Sequence, residues 1–115
     1  AVIPAFKKAI QLGKECRIFG DGTQVRDFIH VYDLVKIILM SLESSNLPSE
    51  MNVASGIGTS VLDLVQLLQE LNPKMADPLF EHGRPGDIHT SVADISRLKE
   101  NLSFGEMVDL KEGLS

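Results

Sequence analysis

Two charged residues side by side in an otherwise apolar strand are the first place to look for chemistry in this chain. The stretch Gly20-Asp21-Gly22-Thr23-Gln24-Val25-Arg26-Asp27-Phe28-Ile29-His30-Val31-Tyr32-Asp33 opens with two glycines one residue apart. Such a pair admits positive φ, which predicts a tight turn. The run Val25 to Val31 is rich in β-branched and aromatic residues and reads as a short strand. Arg26 and Asp27 sit inside it and are expected on opposite faces. Pattern alone leaves two readings open: a site, or a solvent-facing charge pair.

Other residue types that carry chemistry offer less. His82 and His89 flank a loop with Glu81 and Asp87 nearby, but their spacing matches no recurrent metal-ligand pattern. No metal is expected. The single cysteine, Cys16, has no adjacent histidine or helix N-terminus to activate it, and one cysteine forms no intrachain disulfide. Phe28 is read as a packing residue, His30 as structural, Asp27 as a strand charge and Asp33 as a helix-start acid.

The elements that position these residues follow the hydrophobic pattern. Pro4 and Ala5–Leu12 form a helix closed by Gly13, with Ile3, Phe6 and Ile10 on one face. Arg17-Ile18-Phe19 is a short strand leading into the glycine turn. After the central strand, Val31, Leu34, Val35, Ile38, Leu39 and Leu42 repeat at helical spacing, which predicts a helix with that stripe as its buried face. Met51–Ala54 reads as a strand, Ser55–Gly58 as a turn. Ser60 caps a helix carrying Val61, Leu64, Val65, Leu68 and Leu71, with Asp63 as the capping-box acid. Leu79–His82 is a strand candidate, and Gly83-Arg84-Pro85-Gly86-Asp87 is irregular. Asp94 caps a last helix with Ile95, Leu98 and Leu102 on one face, and the tail from Asp109 adds one turn.

The chain has 115 residues, 43% hydrophobic and 23% charged, with 11 basic and 16 acidic residues for a net charge of -5. This fits one small globular domain spanning 1–115 with no linker. The acidic balance argues against a nucleic-acid surface, although a few placed arginines can still hold an anionic ligand. The apolar run Ile37–Met40 is far too short to span a membrane, and the first residues do not resemble a signal peptide. No membrane partner is expected, and a cytoplasmic location is.

Gly-Asp-Gly-x-x-x-Arg-Asp-Phe-Ile-His-Val-x-Asp over residues 20–33 resembles the C-terminal region of extended short-chain dehydrogenases. These are the NAD-dependent nucleotide-sugar epimerases and dehydratases of the UDP-glucose 4-epimerase type. Met51–Gly56, Thr59–Leu64 and Arg84–Asp87 resemble the same family in order and spacing, so the likeness runs through nearly the whole chain. It implies a mixed α/β (α+β) fold: the small C-terminal substrate domain, three to four helices with short strands, without the N-terminal Rossmann domain. It also implies that the short strands look to a larger enzyme for partners.

By the same resemblance Arg26 and Arg84 hold the diphosphate of a UDP- or dTDP-sugar, a role suited to the guanidinium fork. Asp87 accepts hydrogen bonds from the ribose hydroxyls. Phe19 and the strand around Arg17 line the nucleobase. No catalytic residue is assigned. The family's third-glycine phosphate loop is missing after both Gly20-Asp21-Gly22 and Gly56-Ile57-Gly58, and Tyr32 with Lys36 matches its Tyr-x-x-x-Lys pair only by accident.

The chain is therefore expected to be a nucleotide-sugar-binding fragment of an NAD-dependent enzyme. It is expected to be inactive alone, to need its missing NAD-binding domain as partner, and to self-associate. NAD belongs to the parent enzyme, and no cofactor is expected in this chain. The alternative is a stand-alone, non-catalytic binding or interaction module derived from the same fold.

Overall fold

The computed structural model describes residues 1–115. In chain order the elements are α1 (Val2–Gln11), β1 (Arg17–Phe19), β2 (Val25–Asp27), α2 (Val31–Glu43), β3 (Gly58–Ser60), α3 (Val61–Leu71), β4 (Leu79–Glu81), β5 (Thr90–Ser91), α4 (Ser96–Asn101) and α5 (Leu110–Leu114). The mixed α/β character expected from sequence is present. Five helices rather than three or four form, the extra one being the short tail helix α5, started by the Asp109 carboxylate accepting from Lys111 N–H. No helix is long and apolar enough to cross a membrane.

The chain folds into two compact units, each assembled from two stretches: residues 1–25 with 59–90, and 26–58 with 91–115. The strands, of two or three residues each, are ordered β1-β4 in one sheet and β3-β2-β5 in another.

In the first unit β1 and β4 pair in parallel, Arg17 opposite Leu79, Ile18 opposite Phe80 and Phe19 opposite Glu81. The ladder runs on at both ends, Leu79 N–H donating to the Cys16 carbonyl and Gly20 N–H to that of Glu81. The buried side chains of this unit are Phe6, Cys16, Ile18, Val61, Leu64, Val65 and Leu68. Four of them are the α3 stripe expected from sequence. Helix α3 also starts as expected, with Ser60 Oγ accepting from Asp63 N–H at 3.1 Å. Helix α1 begins two residues before Pro4, which still lies in the first turn, where its missing N–H costs nothing. Gly13, at φ +67°, follows its end.

In the second unit Ile37, Ile95, Leu98 and Leu102 form the core, with Met40, Met51, Val53, Phe104 and Met107 packed against it. The face expected on the last helix is correct, although α4 starts at Ser96, two residues after Asp94, whose carboxylate accepts from Ser96 N–H.

Three expectations about this unit are corrected. The central strand ends at Asp27, not Val31, because His30 turns the chain into α2 and caps it, Nδ1 accepting from Tyr32 N–H at 3.0 Å. Met51–Ala54 makes no strand; residues 58–60 do instead. The stripe expected to be the buried face of α2 lies mostly on the outside, since Asp33 and Ile37 are the buried residues of that helix.

Candidate functional site

The first unit brings together four of the five residues singled out as ligand contacts. Two glycines explain how. Gly20 ends β1 at φ +86°, a conformation costly for any side chain, and a Cβ placed there would lie 3.8 Å from the Gly83 Cα. The backbones at the ends of β1 and β4 therefore run close together, and the residue after Gly83 arrives beside the residue before Gly20. The Arg84 guanidinium carbon sits 3.8 Å from the centre of the Phe19 ring, a cation–π stack. A turn then carries the chain to Asp87, whose N–H donates to the Arg84 carbonyl at 3.2 Å, with Gly86 at φ +77°.

Phe19 also lines a cavity of about 350 Å³ that it shares with Ala5, Phe6, Lys8, Ala9, Leu12, Lys14, Glu15 and Arg17. Its size is at the lower end for small-molecule sites. Its walls join apolar surface from α1 and Phe19 to three cations against one acid. Arg17 faces Glu81 at 3.7 Å, but its side chain is 67% exposed, so the pair leaves the guanidinium open to solvent. The Phe19 carbonyl accepts from Gln24 Nε2 at 3.0 Å, which ties the far side of the glycine turn to the cavity strand. An aromatic face, an apolar wall and nearby guanidinium groups suit a flat ring joined to an anion.

The chain is similar to several known proteins. Residues 1–54 match the family described as the NAD dependent epimerase/dehydratase family. A dTDP-4-dehydro-6-deoxy-D-allose reductase of Streptomyces bikiniensis is 36% identical over 98% of this chain and 34% of its own length. The crystal structure of UDP-glucose 4-epimerase from Thermotoga maritima, solved with UDP-glucose, superposes with a TM-score of 0.89 at 36% identity, covering 99% of this chain and 37% of that one. UDP-glucuronic acid 4-epimerase from Bacillus cereus, solved with UDP-glucuronic acid and NAD, gives 0.89 at 31% identity over 99% of this chain and 37% of that one.

The chain is similar to the NAD dependent epimerase/dehydratase family. It spans about a third of the length of these relatives.

The remaining residues sort against that family. Arg26, the fifth expected contact, is half-buried in β2 and belongs to the second unit. Its neighbour Asp27 corrects the reading of a plain strand charge. Asp27 Oδ1 accepts from Ser55 Oγ at 2.6 Å and Ser55 N–H at 2.9 Å, while Oδ2 accepts from Gly56 N–H at 2.9 Å and Ala93 N–H at 3.3 Å. Burial alone would raise its pKa, but these four donors together outweigh burial and hold it below the ordinary carboxylate value. Asp33 is likewise more than a helix-start acid: it is 4% exposed and accepts from Val108 N–H at 2.9 Å. Sequence gave one faint signal for both, an acid inside an apolar run with turn formers downstream to supply free N–H groups.

One glycine of each pair packs closely against side chains of its own unit. A Cβ on Gly22 would lie 2.7 Å from Leu62 Cγ, and one on Gly56 would lie 2.9 Å from Ile95 side-chain atoms.

Lys36 Nζ donates to the Phe104 carbonyl at 2.7 Å, a structural role, while Tyr32 is 65% exposed. Cys16 is fully buried, and burial pushes its thiol pKa up. The chain holds no group of three or more His, Cys, Asp or Glu arranged to bind a metal. His89 Nε2 lies 3.2 Å from Thr23 Oγ1 and its Nδ1 3.0 Å from Thr90 Oγ1.

Proposed function

We propose that this chain is the nucleotide-sugar-holding part of an NAD-dependent sugar epimerase or dehydratase. The observation that carries the reading is the Arg84 guanidinium stacked on Phe19, the residue that walls the cavity. In this reading the nucleobase of a UDP- or dTDP-sugar enters the cavity against Phe19 and Arg17. Arg84 exchanges part of its stacking for charge-assisted hydrogen bonds to the diphosphate. Asp87, fixed to Arg84 by the turn, accepts from the ribose hydroxyls. Arg26 enters on the sequence resemblance alone, as a second contact to the diphosphate. The chain holds substrate and does no chemistry itself, so it neither binds NAD nor turns over sugar nucleotides. It works with the polypeptide that makes up the rest of the relatives' length.

Calorimetric titration tests this reading. The protein is expected to bind UDP more tightly than uridine, and Arg84→Ala should remove most of that difference. Equal affinity for UDP and uridine, or an Arg84→Ala variant that binds UDP as the parent does, would overturn it.

A further inference from the structure

The peptide plane between Phe19 and Gly20 is held on both edges. Its N–H, from Gly20, donates to the Glu81 carbonyl at 2.9 Å. Its C=O, from Phe19, accepts from Gln24 Nε2 at 3.0 Å. A peptide unit is planar and stiff, so bonds on opposite edges fix the torsions on either side of it, ψ of Phe19 and φ of Gly20. The second of these is the soft one. Gly20 stands at φ +86°, and a glycine crosses between positive and negative φ at little cost. With the Gln24 bond removed, the plane can rock about the remaining one.

Phe19 is the last residue of β1. The strand holds its Cα from one side, and this plane holds it from the other. The ring that projects from that Cα carries the Arg84 guanidinium at 3.8 Å and walls the cavity.

Gln24 is itself well placed to act as a brace. Its carbonyl accepts from Val61 N–H at 3.1 Å, at the start of α3. The neighbouring Thr23 Oγ1 donates to Asp21 Oδ1 at 2.6 Å and lies 3.2 Å from His89 Nε2. The turn from residue 20 to residue 24 is thus anchored to α3 and to residue 89, while the Gln24 side chain reaches back across it to β1. Gln24 does not line the cavity.

We infer that Gln24 is a positioning residue for the nucleotide site: its side-chain amide fixes the Phe19–Gly20 peptide plane, and through it the ring on which Arg84 stacks and against which the base is held. The last step rests on the proposed nucleotide-holding role, the first on geometry alone. Uridine, which has no phosphate, isolates the share of the ring from that of the arginines.

NMR on three variants of the 115-residue chain separates these steps. Gln24→Met keeps the length of the side chain and removes the donor. Gln24→Ala removes both. Thr23→Val loosens the same turn from Asp21 and His89 without touching the peptide plane. In the ligand-free chain the Arg84 side-chain protons should carry a ring-current shift from Phe19, which both Gln24 variants should shrink and Thr23→Val should leave. Uridine affinity should fall about three- to tenfold in both Gln24 variants, the range for one neutral hydrogen bond. In Thr23→Val it should stay within about twofold of the parent. Circular dichroism confirms that each variant is measured while folded.

An Arg84 ring-current shift that survives Gln24→Met would overturn the positioning role, whether or not nucleotide binds. So would a Gln24→Met variant that does not fold, since Gln24 would then be a plain structural residue. A parent that binds uridine no better than Gln24→Met, or a Thr23→Val variant that loses as much, would also overturn it. If the parent binds neither UDP nor uridine, the nucleotide-holding role falls, and the ligand-free shift still decides whether Gln24 sets Phe19.

Discussion

The Asp27 carboxylate should contribute more to stability than any other charged group in the second unit, and its replacement tests how that unit is held. Asp27→Ala removes an ionised acceptor from Ser55, Gly56 and Ala93 and leaves three backbone N–H groups seeking partners. Hydrogen bonds to charged groups contribute about 1.5–3 kcal/mol each, but Asp27 is only half-buried and water can reach the vacated donors, so the net loss should be about 2–4 kcal/mol. For a chain this size that corresponds to a fall of roughly 10–20 °C in melting temperature.

Asp27→Asn is the sharper variant, because it keeps the shape. Its single carbonyl can serve Ser55, but its NH2 then faces the two N–H groups that Oδ2 now accepts, Gly56 and Ala93. The loss should be nearly that of alanine. The pH dependence has a definite sign. Asp27 titrates below its unfolded value near 3.9, so its contribution is complete above about pH 4 and disappears as pH falls through the folded pKa. Denaturant titrations at pH 7 and at stepwise lower pH should show the gap between parent and Asp27→Asn stabilities narrowing below about pH 4. An Asp27→Asn variant as stable as the parent at pH 7, or a gap that does not narrow on acidification, would refute the clamp.

Three further outcomes are expected. Gly22→Ala should cost about 1–3 kcal/mol in denaturant unfolding, because it strains a φ of +81° and drives a Cβ to 2.7 Å from Leu62 Cγ; Gly86→Ala, with nothing within 4 Å, should lose only the conformational part, about 1 kcal/mol. Arg26→Ala and Arg84→Ala should each weaken UDP binding by about 1.5–3 kcal/mol, with little effect on uridine, non-additively in the double variant and with poor rescue by lysine. Arg17→Ala should change unfolding free energy by less than about 1 kcal/mol, since its ion pair with Glu81 is exposed.

Much of this was legible in the residues. The α3 stripe, its Ser60 cap, the strand Arg17–Phe19 and the turn from Gly20 to Gly22 follow from periodicity, capping and glycine chemistry, all of which act over a few residues. The contact between Arg84 and Phe19 was not legible locally, because it depends on a parallel β1–β4 pairing across some sixty residues of chain. The role of Asp27 was hidden for the same reason: its donors lie 28, 29 and 66 residues away. Helix α2 misled in a different way. Its stripe was identified correctly, but periodicity shows that an apolar face exists and not which layer covers it. The more regular face is the open one, and the core side is marked by Ile37 beside a buried aspartate.

The most direct measurement of the nucleotide-holding role is a UDP titration of the 115-residue chain followed by amide and side-chain NMR shifts, which registers binding even at millimolar affinity. Saturable shifts concentrated on Leu12, Lys14, Arg17, Phe19, Arg26, Arg84 and Asp87, smaller with uridine and unmoved by NAD, are the predicted result. Shifts that do not saturate, or that gather away from Phe19 and Arg84, would contradict it.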